Sequence, residues 1–249
     1  MVSSAPFDFV TEIAEHSAGL ADAAEGNLDA DVVGCPGWTV ADLVHHLTTT
    51  HWFWATIVEE LLDQPPDESR RPPRAQRSQL IADCRLQAAR LARVLRAADA
   101  GTAVYTWAPA QRDVAFVSRH QVQEAAIHHW DAVHARGGVL EIAAPVAADS
   151  IEEFLTFSVS SDRDPADPPR PAMAGALVLQ CSDSERSWTV HDSETPGNVA
   201  FEPGAAPGSP AITASASDLL LWLYRRLPLD TGEVPEQLAA RFRALCFTD

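Results

Sequence analysis

The chain contains no lysine, so all 18 of its basic side chains are arginines, set against 35 Asp and Glu. The resulting formal charge of -17 repels phosphate backbones and anionic lipid headgroups, which excludes nucleic acid and membrane surfaces as expected partners. Cysteine is scarce as well. The 4 residues Cys35, Cys84, Cys181 and Cys246 are widely scattered and form no C-x-x-C pair, so neither a disulfide framework nor a thiolate zinc site is expected. Their expected role is that of small apolar packing groups. No apolar run approaches the roughly 18 residues that span a bilayer. The start at Met1-Val2-Ser3-Ser4 lacks the basic-then-apolar pattern of a secretory signal, and a cytoplasmic protein is expected. Also absent are H-E-x-x-H, G-x-S-x-G, a P-loop and a dinucleotide fingerprint.

What is present is enough apolar material for a real core: 46% hydrophobic residues in 249, including 7 Trp. Four helical patterns fill the first part. The first runs from about Phe7 to Glu25, with Phe9, Ile13 and Leu20 on its apolar positions, and stops near Gly26. After the Pro36-Gly37 break, Thr39 and Asp42 form a capping-box-like T-x-x-D ahead of an apolar pattern reaching Leu62. The stretch from Asp63 to Arg74 carries two Pro-Pro pairs and cannot continue that helix. A third helix is predicted from about Gln76 to Ala98 and a fourth from about Asp113 to Ala135, ended by Gly137-Gly138. Such helices with modest connections predict a four-helix bundle, whose interior commonly holds metal ligands.

Downstream the texture changes. A short helix near Ala147 to Phe157 leads into a Pro- and Asp-rich stretch, Asp162 to Pro171, that suits a linker. Short strands are predicted at Ala176 to Cys181, Ser187 to His191, Asn198 to Phe201 and Ala211 to Ala214, with helices at Ser217 to Leu227 and Pro235 to Leu245. The expected architecture is therefore mainly α with an α+β C-terminal part: a bundle over residues 1–160 and a small α+β domain over 161–249.

Glu124 and His128 stand four apart in the fourth helix. Helical neighbours at that spacing have Cβ atoms roughly 5–6 Å apart, close enough for a carboxylate and an imidazole to reach one ion. The same spacing also occurs on solvated helix faces. His46, between Val44 and Leu47 in the second helix, is the candidate third ligand; its plainer alternative is a core histidine bonded to a backbone carbonyl. His45 points roughly 100° away. His120, Glu124 and His128 form one row, but the outer two are about 12 Å apart along a straight helix, so they cannot share an ion, and His120 is the less attractive. His129 turns off the row, and Asp131 is placed to orient His128. Two histidines and one glutamate leave coordination positions open, the pattern of catalytic zinc. Trp52, Trp54 and Trp107 are expected mainly as core packing.

Cys35-Pro36-Gly37-Trp38-Thr39-Val40-x-Asp42-Leu43-Val44-x-His46-Leu47, followed by Glu124-x-x-x-His128-x-x-Asp131, resembles the maleylpyruvate isomerase family of mycothiol-dependent enzymes, within the DinB-like four-helix bundles. The segment from Ala216 to Pro228 is similar to the family's C-terminal domain, so the resemblance covers nearly the whole chain. It implies zinc or a similar divalent ion held by His46, Glu124 and His128, with the low-molecular-weight thiol mycothiol as cosubstrate and a small electrophile as substrate. It also implies a functional arginine on the C-terminal domain, best matched by Arg226, with Arg225 adjacent. The expected activity is that of an isomerase or S-transferase acting between bundle and C-terminal domain. A metal-dependent hydrolase and a non-catalytic ligand-binding bundle are the alternatives.

Overall fold

The computed structural model describes residues 7–159, 172–194 and 197–246. The linker expected at Asp162 to Pro171 lies outside them. The chain forms two compact units, residues 1–141 and 142–249.

The first unit is the expected bundle, made of α1 (Phe9–Ala24), α2 (Val40–Glu60), α3 (Leu80–Ala97) and α4 (Val114–Ala135). Helix α1 packs on α3 and α4, and α2 packs on α3 and α4, which closes the four into a ring around one core. Helices α1, α2 and α4 each start on a side-chain cap. Asp8 accepts from the backbone N–H of Val10 and Thr11, and Asp113 from that of Phe116. At α2 the box anticipated from T-x-x-D is complete: Thr39 accepts from the Asp42 N–H, while the Asp42 carboxylate accepts from the Thr39 N–H at 2.9 Å. Such a cap contributes about 1 kcal/mol and fixes where the helix begins. That start sets which residues of α2 face α4.

The core holds Leu20, Leu43, Val44, Leu47, Leu80 and Cys84, all buried. Outside it, arginine does the work of every absent lysine. Arg90 and Arg93 both reach Glu59, Arg85 bridges Asp22 and Glu25, and Arg74 reaches Asp42. Exposed pairs of this kind contribute about 0–1 kcal/mol each, so they lace neighbouring helices together without deciding the fold.

The C-terminal ends of α2 and α4, the two helices that carry the expected ligands, differ in cost. At α4 the chain turns through Gly137 at φ 74°, and the N–H of Gly138 bonds back to the Val133 carbonyl. Glycine enters that left-handed region without penalty. Helix α2 makes the same turn through Leu61 at φ 53°, where the Leu62 N–H bonds to the Ile57 carbonyl, and there a branched side chain is strained.

The second unit contains α5 (Ala144–Phe154), a four-stranded sheet, α6 (Ala216–Leu223) and α7 (Glu236–Leu245). The strands are β1 (Ala176–Cys181), β2 (Ser187–Asp192), β3 (Val199–Pro203) and β4 (Ala211–Ala214), in the order β3-β2-β1-β4. Neighbours are antiparallel except β1 and β4, which run parallel. The central strand β1 buries Leu177, Val178 and Leu179 in succession, as a strand covered on both faces should. The composition shift at Asp162 suggests a division at 160/161. The division falls earlier because α5 packs on α6 and so goes with the sheet unit.

Helix α6 ends before the expected Leu227. The backbone N–H groups of Arg225 and Arg226 bond back to the Trp222 and Leu221 carbonyls, with Arg225 left-handed at φ 62°. Among the described residues, no helix is long and apolar enough to cross a membrane.

The strain at Leu61 is testable, because its side chain is 59% exposed and loses little if removed. Leu61→Gly should raise the unfolding free energy by about 0.5–1 kcal/mol in urea denaturation. An unchanged or lowered value would show that the side chain contributes more than its backbone costs.

Candidate metal centre

The capped start of α2 and the start of α4 at Asp113 put His46 opposite Glu124 and His128. His46 Nε2 lies 2.7 Å from Glu124 Oε1, and the same oxygen lies 3.6 Å from His128 Nε2. The donor atoms of these three residues are all within 4.8 Å of one another, so the group can hold a metal ion. A second group with that property shares one residue with the first: Cys35, His128 and Asp131. His120 is in neither.

The chemistry of the donors fits a divalent cation. Asp131, buried on α4, takes the Nδ1 proton of His128 at 3.0 Å and also accepts weakly from the Cys35 thiol at 3.8 Å. A carboxylate on Nδ1 fixes the tautomer and leaves the Nε2 lone pair facing Glu124 and His46. Burial works to raise the Glu124 pKa, but His128 and the hydrogen bond from His46 outweigh it, with His120 adding to them. The net shift is well below the ordinary carboxylate range, and Glu124 stays anionic. The shared oxygen thus lies where an anionic ligand atom is needed, with two imidazole nitrogens around it.

The cluster is open on one side. The side chains of His46, Glu124 and His128 are 33%, 22% and 10% exposed. His46 is therefore less enclosed than its apolar neighbours suggest. Val44 and Leu47 are fully buried, while His46 sits at the edge of the stripe beside the Trp38 ring, 5.0 Å away between centroids. Of the three tryptophans expected in the core, Trp52 and Trp54 are buried, and Trp107 is 43% exposed. Three of the cysteines are buried, whereas Cys35 is half-buried and belongs to the second ligand group, which the scattered cysteine spacing does not suggest. No disulfide joins any of the four, and burial pushes Cys84 up to about 11 and Cys246 up to about 12, which leaves both unreactive at neutral pH.

The bundle interior also holds polar contacts that no local sequence pattern announces. His51 on α2 is fully buried and bonds Ser17 of α1 through Nε2 at 2.9 Å and Gln121 of α4 through Nδ1 at 3.1 Å. Since the Gln121 atom is a carbonyl oxygen, Nδ1 donates and Nε2 accepts from the serine hydroxyl. On the far side of α4, His129 meets His16 of α1 with the two Nδ1 atoms 3.1 Å apart, so one ring must donate and the other accept. Gly19 makes room for this pair: a Cβ there would lie 2.2 Å from His129 Cε1. Residues this far apart in the chain carry no shared periodicity, so only the packed helices reveal the pairing.

Arg226 lies just beyond α6 in the second unit, where its Nη1 donates to the Tyr224 carbonyl at 2.9 Å. Its neighbour Arg225 donates to the Arg243 and Cys246 carbonyls at the end of α7.

The family model for the mycothiol maleylpyruvate isomerase N-terminal domain matches residues 9–133, half of the chain and almost all of the bundle. The chain belongs to this family. The family's name points to mycothiol-dependent enzymes in general, and the matched span includes His46, Glu124, His128 and Asp131. No curated protein and no solved structure matches the chain.

The buried imidazoles predict how stability depends on pH. Burial brings His51 down to about 4, against the opposing hydrogen bond from Gln121, and burial with the neighbouring His129 brings His16 down to about 4. Both rings are neutral when folded but titrate near 6.5 when unfolded, so the unfolded state takes up more protons between those values. Stability is then full above about pH 6.5 and falls as the pH drops toward 4, by about 3 kcal/mol per ring over the whole interval. Denaturation of metal-free protein from pH 7.5 to 4 should show this slope, and His51→Leu should be less stable at neutral pH yet have a shallower slope. An unchanged slope would mean His51 is not the group that titrates.

Proposed function

We propose that the protein is a mycothiol-dependent enzyme, an isomerase or S-transferase, that acts in the cytoplasm on a small electrophile. In this reading His46, Glu124 and His128 hold zinc or a similar divalent ion, and mycothiol is the cosubstrate. The observation that carries it is the convergence of two imidazoles and one carboxylate, from α2 and α4, inside the family-matched bundle.

The charge balance supports a sulfur ligand. Two neutral imidazoles and one carboxylate leave a divalent ion with a single net positive charge, which one anionic sulfur neutralises. A divalent ion there supplies Lewis acidity that removes the proton of a coordinating thiol at neutral pH. The chain's own part is to shape and orient. Asp131 keeps the His128 proton on Nδ1, the Glu124 carboxylate stays ionised, and the partial exposure of His46 and Glu124 leaves an approach for a ligand. The chain's own thiols are poorly placed for the task, since three cysteines are buried and Cys35 reaches Asp131 on the Nδ1 side of the His128 ring. An added thiol fills that gap.

For the substrate we assign Arg226 rather than Arg225 as the arginine that pairs with a carboxylate group. Arg226 is the better match to the family's C-terminal arginine, with Arg225 the adjacent alternative, and both guanidinium groups donate to backbone carbonyls.

Isothermal titration of mycothiol into zinc-loaded, metal-free and His46→Ala protein tests the reading. Binding should need the ion and fall at least tenfold in the variant. Equal binding to the metal-free chain would contradict it, and zinc uptake with no mycothiol binding would favour the hydrolase, in which water takes the thiol's place.

A further inference from the structure

The imidazole of His128 has partners on both of its nitrogens. Its Nε2 faces Glu124 Oε1, which also meets His46, and its Nδ1 lies 3.0 Å from Asp131 Oδ2, which also meets the Cys35 thiol at 3.8 Å. Each ring nitrogen thus faces a carboxylate oxygen shared with one further ligating atom. On the Nδ1 side, the ligating atoms of Cys35, His128 and Asp131 all lie within 4.8 Å of one another. Around a tetrahedral ion, a nitrogen or sulfur ligand stands about 3.3–3.6 Å from an oxygen ligand, so both observed spacings are within a few tenths of an ångström of what an ion needs.

The position of the sulfur is built into the chain. The loop before α2 is tied at three points: the Val32 N–H donates to the Trp38 carbonyl at 2.9 Å, and the Cys35 N–H to the Val32 carbonyl and the Trp38 N–H to the Cys35 carbonyl, both at 3.0 Å. Gly37 makes the turn inside it at φ 87°. The loop holds Trp38 against the His46 ring and Cys35 against Asp131, so it reaches both ligand groups at once. Asp131 is buried on α4, while Cys35 is only half-buried.

We propose that Cys35, His128 through Nδ1, and Asp131 form a second metal site, for a soft, sulfur-seeking cation, which is filled only in place of the first. A divalent ion bound to a thiolate, a carboxylate and a neutral imidazole carries no net charge. Filling the site sends the Cys35 thiol proton to solvent and moves the His128 proton from Nδ1 to Nε2. A neutral imidazole has one lone pair, so the ring then has none for the first group. Zinc meets an Nε2 lone pair already held ready by Asp131 and needs neither proton shift to enter the first group. Only a cation with a stronger preference for sulfur gains enough to go to the second. The site itself stands on these distances, whereas its competition with zinc rests on the reading of the first group given above.

Cadmium provides the test, with the ultraviolet sulfur-to-cadmium charge-transfer absorption as the readout. Metal-free wild type and Glu124→Ala, which lacks the first group's carboxylate, should both develop the band, with dissociation constants within about threefold of each other. Cys35→Ser should give no band yet take up zinc as wild type does, which shows that its fold and first group are intact. Alkylating Cys35 in the folded wild type, where the other three thiols are buried, should abolish the band as well. In zinc-loaded wild type the band should grow in step with zinc released to a chromogenic indicator. Absence of the band from metal-free wild type, or its persistence after Cys35 is replaced or blocked, overturns the site. A band that grows while zinc stays bound overturns the competition. A wild type that gives the band but never binds zinc supports the second site and contradicts the function proposed above.

Discussion

The 2.7 Å approach of His46 Nε2 to Glu124 Oε1 is the contact on which the rest of the bundle's chemistry depends. It joins helices through residues that are 78 positions apart in the chain and puts an ionised carboxylate between two imidazoles on the α2–α4 seam. An anion in that setting needs positive charge or strong donors around it. His46 supplies one hydrogen bond, and a cation held among the three side chains would supply the charge. Part of what fixes the contact is local: the Thr39–Asp42 box sets the phase of α2, Asp113 sets that of α4, and Asp131 locks the ring of His128.

Two sets of polar contacts elsewhere in the bundle are enclosed between helices. The Ser17–His51–Gln121 chain and the His16–His129 pair each join α4 to α1, the first of them through α2. Hydrogen bonds buried this way add little net stability, but a misregistered helix would leave their groups unpaired at a cost of about 1–3 kcal/mol each. They therefore favour one packing of the helices over its slipped alternatives, and the metal-ligand geometry needs that selection. The arginine pairs on the rim do less, since each side chain remains in contact with water.

Much of this is legible in the sequence because it is written in local pattern. T-x-x-D marks the start of α2, Gly137 the end of α4, and four-residue spacing puts Glu124 and His128 on one face. What stays hidden needs two distant segments at once. His16 and His51 look like ordinary polar residues of amphipathic helices, and only the packed bundle shows how far both are enclosed. Gly19 resembles a weak helix residue until His129 is seen against it. The early end of α6 is invisible because Arg225 adopts a left-handed conformation that sequences normally reserve for glycine. The unit boundary is displaced for a related reason: a proline-rich stretch is a visible break in composition, whereas the packing of α5 on α6 leaves no local mark.

X-ray absorption at the zinc edge of the loaded protein, without added thiol, tests the central claim most directly. The account predicts one zinc per chain with a first shell of nitrogen and oxygen only, two of the scatterers imidazoles, and loss of the bound ion in Glu124→Ala. A sulfur scatterer in that shell, or full zinc retention in Glu124→Ala, would contradict it.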